Sequence, residues 1–230
     1  MGGMRRVVVY GGTRNIYGNM VAAAKSLLAN NRMDRVVFLT EDDRFPVFLP
    51  RVIDCINVSG QRFFDPHGPN FHRRWTYMTL MRLALPKILP EEERVLWLDC
   101  DTIVQMDLSQ LFEMDMHGKT FAMVAEPRQS RSCGFTYHNA GVTLIDMKRM
   151  SHRVCQELIT MANCVEMPLC DQDAINYKCK DDILTLPPVW NSCRYTEIVD
   201  DPAILHFAAN PVYMNEPLFQ EYAAREWRCL

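Results

Sequence analysis

The sequence predicts an α/β fold built on a mostly parallel central sheet flanked by helices. Two observations point there. Short β-branched, apolar runs alternate with helical stretches through the first hundred residues, which is the rhythm of βαβ units. The chain has 230 residues, 48% of them hydrophobic, enough to bury one sizeable core.

The elements follow in order. "RVVVY" (6–10) is a β-branched run stopped by Gly11 and Gly12. Residues 17–31 carry Met20, Val21, Ala24, Leu27 and Leu28 at helical spacing, and Asn30 and Asn31 suit the helix end. Strands are predicted at 35–40 and 52–58, then a loop rich in Gly, Pro and Phe at 59–71. A helical stretch (75–89) is broken or ended by Pro86, and "RVLWLD" (94–99) is the next strand. Further on, 119–126 and 141–147 read as strands separated by a polar segment holding Arg128, Arg131 and Tyr137. Residues 151–165 and 171–179 read as helices, and "DILTLPPVWN" and "AILHFAANP" as short extended pieces. With no repeat and no low-complexity linker, the expectation is one domain spanning 1–230.

Charged residues are 23% of the chain and the formal net charge is -3, so the strong basic excess of a nucleic-acid binder is missing. The dense basic stretch "FHRRWTYMTLMR", with His72, Arg73, Arg74 and Arg82, reads first as a solvated face. No run approaches the ~20 apolar residues of a membrane span, and the N-terminal stretch reads as a strand, not a secretion signal. The nine cysteines form no C-x-x-C pair. They predict reduced, packed thiols and a cytoplasmic location, with peripheral membrane association left open.

Four segments carry chemistry. In "RVLWLDCDTIV", Asp99 and Asp101 share one side of an extended chain while Cys100 turns toward the core. At the C-terminal edge of a parallel sheet, two carboxylates suit Mg²⁺ or Mn²⁺. The alternative is one Asp capping a turn and the other in water. In "HNAGVTLIDM", small residues before a strand let a ligand approach the backbone, or merely form a turn. In "CDQDAIN", Asp171, Gln172 and Asp173 open a helix, where acids favour the dipole or face a sugar. In "AILHFAANP", His206 is either a satisfied buried histidine or a third metal ligand.

Taken together and in this order, "LWLDCDTIVQMDLSQLF", "HNAGVTLIDM", "DQDAIN" and "ILHF" resemble glycosyltransferase family 8. That family contains glycogenin and the bacterial lipopolysaccharide galactosyl- and glucosyltransferases, and the resemblance runs from about Val7 to about Pro211. It implies a GT-A fold, with a nucleotide-binding half (about 1–105) and an acceptor and sugar half (about 106–230). It further implies a UDP-glucose or UDP-galactose donor, Mn²⁺ (or Mg²⁺), retention of anomeric configuration, and a carbohydrate or protein acceptor. Asp99, Asp101 and His206 match the metal ligands, with Cys100 inside the same donor-binding stretch. Gly11, Gly12, Thr13 and Tyr17 match the stretch that holds uridine, and Arg82 a helix arginine facing the donor. Asn139, Ala140, Asp171 and Gln172 match positions lining the donor sugar, the last two being the candidate catalytic residues.

Two departures stand out. Where the family continues past the histidine to a glycine and a lysine-proline-tryptophan, this chain has Ala209 near the glycine and Val212 near the lysine. Arg14 and Arg194 are the candidates to replace that diphosphate contact. Acidic residues common in the uridine segment are replaced by Thr13 and Arg14. The rival readings are a non-catalytic nucleotide-sugar binding protein and a nucleotidyltransferase, the latter expecting a basic, glycine-rich loop that "GGTRN" meets weakly.

Overall fold

Successive residues of a strand point to opposite faces of its sheet, and here apolar side chains occupy both. The computed structural model describes residues 5–73, 75–150 and 152–227. Arg74 of the basic stretch, Ser151 at the predicted helix start and Cys229 lie outside the described residues. The elements are β1 (Val7–Gly11), α1 (Tyr17–Asn30), β2 (Arg35–Thr40), β3 (Ile53–Asn57), α2 (Thr76–Leu80), α3 (Leu85–Ile88), β4 (Arg94–Leu98) and β5 (Thr102–Val104). They continue with α4 (Ser109–Glu113), β6 (Phe121–Ala125), α5 (Pro127–Cys133), β7 (His138–Asp146), α6 (His152–Cys164), α7 (Cys170–Lys178), β8 (Ile183–Leu186), β9 (Ile204–His206) and α8 (Pro217–Ala224).

The described residues form a seven-stranded sheet in the order β3-β2-β1-β4-β7-β6-β8. Strands β3, β2, β1 and β4 are parallel, and β8 is parallel to β6. Only β7 runs against its neighbours β4 and β6, so the sheet is mostly parallel, as expected. Val7, Val9, Val37, Leu39, Val95 and Trp97 pack on one face with Leu80, Leu83 and Leu85 and with α6 and α7. Val8, Tyr10, Val36, Phe38, Leu96 and Leu98 pack on the other with Met20 and Leu27 of α1 and Leu111 of α4. Each such aliphatic side chain contributes roughly 1.5–3 kcal/mol by leaving water. In α6 the buried residues Cys155, Leu158, Ile159 and Ala162 recur at helical spacing, which is why its sequence reads so clearly as a helix.

Several elements differ from the sequence expectation for identifiable reasons. Pro86 stands in the first turn of α3, where its missing N–H costs nothing, so it starts a helix after a 3-10 turn at Met81–Ala84. The polar segment after β6 contains a helix, α5, with Pro127 in its first turn and Gly134 closing it at φ 74°. None of its residues is buried, so no apolar periodicity announces it. The strand predicted through Asp99 ends at Leu98. Asp99 then opens a turn in which its carbonyl accepts from the Thr102 backbone N–H (3.2 Å) and hydroxyl (2.8 Å).

Two pairings bring distant segments to that turn. The antiparallel β4–β7 register sets Leu98 opposite Val142, so the start of β7 lies beside the end of β4. A small β5–β9 sheet sets Thr102 opposite His206. α1 secures this ribbon: Ser26 Oγ accepts from Val104 N (2.9 Å) and Asn30 Nδ2 donates to Val104 O (3.0 Å). No helix among the described residues is long and apolar enough to cross a membrane.

Candidate active site

A cavity of about 490 Å³ opens at the C-terminal edge of β1 and β4. The chain leaves β1 for β2 on one side and later supplies β4 on the other, so this is a switch point of the sheet, where α/β proteins bind ligands. Gly11 closes β1 against the Trp97 ring, and a Cβ there would lie 2.7 Å from Trp97 Cη2. The Cys100 side chain points into the core and its thiol donates to the Gly11 carbonyl (3.3 Å), leaving Asp99 and Asp101 directed to the cavity.

The two carboxylates meet different partners. Asp99 Oδ1 accepts from Arg82 Nη2 (2.6 Å) and from Trp97 Nε1 (2.9 Å). Burial would raise the Asp99 pKa, but the Arg82 guanidinium and the His206 ring prevail and hold it below the usual carboxylate value. Arg82 is itself buried, lies 4.7 Å above the Trp97 ring, donates to Ala140 O and pairs through Nε with Asp171 Oδ2 (2.9 Å). Asp171, despite that pair, is pushed up to about 6 because burial outweighs the guanidinium.

Asp101 Oδ1 lies 3.2 Å from His206 Nε2. Burial opposes charge on that ring, yet the Asp101 carboxylate carries its pKa well above the ordinary histidine value. One ligand atom each from Asp99, Asp101 and His206 falls within 4.8 Å of the others. The ring fits because residue 141 is glycine: a Cβ on Gly141 would lie 2.0 Å from His206 Cε1.

The residues matched by resemblance to the donor sugar also line the cavity. Gln172 accepts from Ala140 N (2.8 Å) and donates to Glu126 Oε1 (3.2 Å). Asn139 donates to the same oxygen (2.7 Å). Burial raises the Glu126 carboxyl above its ordinary value against the pull of these two bonds. Thus Gly11, Thr13, Arg82, Asp99, Cys100, Asp101, Asn139, Ala140, Asp171, Gln172 and His206 all line one cavity. Gly12 and Tyr17 are not on its wall: Gly12 backs onto Met20 and Ile16, and the Tyr17 hydroxyl holds Glu41 N and Asp42. From the same stretch Asn15 and Ile16 join Gly11 and Thr13 on the wall.

Sequence reasoning missed Glu126 and Asn191. Glu126 carried a signal, since it ends the apolar run "FAMVAE" as Asp99 ends "RVLWLD"; Asn191, after Trp190, carried none. Neither proposed lysine substitute is on the cavity wall. Arg14 pairs with Asp42 (2.5 Å) and Arg194 lies 5.6 Å over the Tyr195 ring. No lysine stands among the described residues of the cavity wall.

This sheet, with a carboxylate-rich cleft at its switch point, is the GT-A fold of glycosyltransferases. A crystal structure of galactosyltransferase LgtC in complex with donor and acceptor sugar analogs superposes with a TM-score of 0.74 at 19% identity, over 94% of this chain and 95% of that one. The sequence profile described as "Glycosyl transferase family 8" matches residues 7–211, and the chain belongs to that family. Among relatives, "Glycosyltransferase GlyE" of Streptococcus pneumoniae serotype 4 is 30% identical over 81% of this chain and 48% of its own length. "General stress protein A" of Bacillus subtilis is 28% identical over 55% of each. The chain thus spans about half the length of these relatives.

Proposed function

We propose that this chain is a metal-dependent, retaining hexosyltransferase that moves glucose or galactose from a UDP-sugar to an acceptor hydroxyl. The convergence of Asp99, Asp101 and His206 on one point of the cavity carries this reading. Two carboxylate oxygens and one imidazole nitrogen form a donor set that fits Mn²⁺ or Mg²⁺. When bound there, such a cation supplies Lewis-acid stabilisation of the charge that grows on a departing diphosphate.

The chain's own residues do the rest. Gly11, Thr13, Asn15 and Ile16 form the end of the cavity suited to the uridine, and Asn139, Ala140, Asp171 and Gln172 the end suited to the hexose. The volume is within the usual range for a small-molecule site. Retention requires either a carboxylate nucleophile or attack from the leaving-group side. Asp171 is tied to Arg82 and Gln172 has both amide ends engaged, which favours same-side attack with these two residues orienting the sugar. The acceptor is a carbohydrate or protein hydroxyl. The eight cysteines among the described residues are free thiols, consistent with work in a reducing cytoplasm, free or at a membrane surface.

A screen of UDP-hexose hydrolysis with and without Mn²⁺, repeated on Asp101→Asn, tests the reading. Turnover by the wild type with Mn²⁺ alone supports it. The wall without a lysine favours one alternative, a non-catalytic nucleotide-sugar binder; binding of UDP-glucose with no turnover on any acceptor would establish that instead.

A further inference from the structure

The cation reading leaves open why His206 offers Nε2 to Asp101, since an imidazole can carry its proton on either nitrogen. The hydrogen-bond pattern behind the ring settles this, starting from a group that can only donate. The Gly141 backbone N–H donates to Asn139 at 3.0 Å, so the Asn139 atom facing it is the amide oxygen. The other end of that amide, Nδ2, then faces Glu126 Oε1 at 2.7 Å, a carboxylate that accepts. Asn191 meets the same Asn139 oxygen at 2.8 Å, which requires the Asn191 nitrogen there. Its oxygen is left facing His206 Nδ1 at 2.9 Å. An oxygen against a bare ring nitrogen at that distance would be repulsive, so Nδ1 carries a hydrogen. The Cys193 thiol also lies against the ring, but a thiol donating to Nδ1 would recreate that repulsion.

We infer that Asn191 is a positioning residue which, through the chain Gly141–Asn139–Asn191, keeps the proton of His206 on Nδ1 and presents Nε2 to a divalent cation. Asn191 is fully buried and does not line the cavity, so it acts through the ring. The same chain reaches Gln172 through Glu126, so the ligand histidine and the sugar-facing glutamine share one scaffold. The inference rests on the cation reading above. Outer partners of metal-bound histidines fix ring orientation and typically govern 10–100-fold in metal affinity.

The test measures Mn²⁺ affinity by electron paramagnetic resonance for the wild type, Asn191→Leu and Asn191→Asp. Long-range ¹H–¹⁵N spectra of the Mg²⁺-saturated protein report the ring, with the His206 signals assigned by their loss in His206→Gln. The wild type should show protonated Nδ1. Asn191→Leu should lose roughly 10–100-fold in Mn²⁺ affinity. Asn191→Asp keeps an acceptor for Nδ1–H and should stay within a few-fold of the wild type, although it sets an oxygen against Asn139 and lowers stability. A merely structural role predicts the reverse order, with the buried charge of Asn191→Asp the more damaging. A wild type that binds Mn²⁺ while Asn191→Leu binds it equally well, or a ring protonated on Nε2 alone, overturns the inference. A wild type that binds no Mn²⁺ overturns the cation reading, and this inference with it.

Discussion

Asp99 and Asp101 stand two residues apart on one turn, yet a permanent cation holds the first and a titratable ring the second. Asp99 is fixed by a permanent cation, Arg82, by the Trp97 indole, and by its own backbone N–H on Gly141 O (2.8 Å). Among the described residues Asp101 pairs with His206, whose position depends on the missing Cβ of Gly141. One carboxylate is therefore part of the scaffold and the other is the adjustable half of the pair. Repulsion between them is relieved on the Asp99 side by the fold itself, and on the Asp101 side by whatever occupies the position shared with His206.

The contrast predicts a split between stability and binding. Arg82→Met leaves the buried Asp171 and the partly exposed Asp99 without their cation and should cost about 3–5 kcal/mol in urea unfolding. Asp101→Asn should cost less stability than Arg82→Met while weakening Mn²⁺ binding more than roughly 100-fold, beyond the 10–100-fold typical of outer partners. Equal stability losses in the two variants would erase the distinction.

Gly141→Ala sharpens it further, because the added Cβ would strike His206 and not Arg82. It should cost about 1–3 kcal/mol through overpacking and weaken Mn²⁺ binding, while the Arg82–Asp99–Asp171 side stays intact.

Asp171 gives a pH signature to the scaffold side. Its folded pKa, about 6, lies above the ordinary 3.8, so the folded state holds the proton more tightly. Stability from this group is full below the lower value and is lost as pH rises through the higher one. Asp171→Asn removes that loss, so its stability relative to wild type should improve by at most about 3 kcal/mol between pH ~4 and ~6. A difference that is flat with pH would show that Arg82 fully compensates the carboxylate.

The smallest effect concerns the loop after His206. Ala209 has φ 53°, the left-handed region that favours glycine. Ala209→Gly should raise stability by about 1 kcal/mol by removing the Cβ clash, without altering Mn²⁺ affinity.

These contrasts also mark what the sequence could disclose. Strands β1, β2, β4 and β6 were legible because each is an apolar run buried on two faces, and Asp99 and Asp101 because charge follows such a run abruptly. The segments "HNAG", "DQD" and "ILHF" were readable as chemistry, but their meeting depends on the antiparallel β7 and on the β5–β9 ribbon, pairings that no local pattern encodes. Residues 102–104 are too short a strand to show a period, and α4 is one turn and a half. Asn191 is an ordinary polar residue until the fold sets its two amide ends between Asn139 and His206. Tyr17, matched by resemblance to the uridine stretch, has its hydroxyl on Glu41 N and Asp42, contacts that its local sequence does not announce.

On the proposed function, the adjustable half of the carboxylate pair holds a cation through which a nucleotide diphosphate binds. The wall carries Asp99, Asp101, Asp171 and Glu126 against Arg82 and His206, so a diphosphate meets net negative charge without one. Calorimetric titration of UDP into the wild-type protein, first with a chelator and then with saturating Mn²⁺, measures this most directly. UDP should bind with Mn²⁺, and no binding should be detectable with the chelator. Equal UDP affinity in both conditions would contradict it.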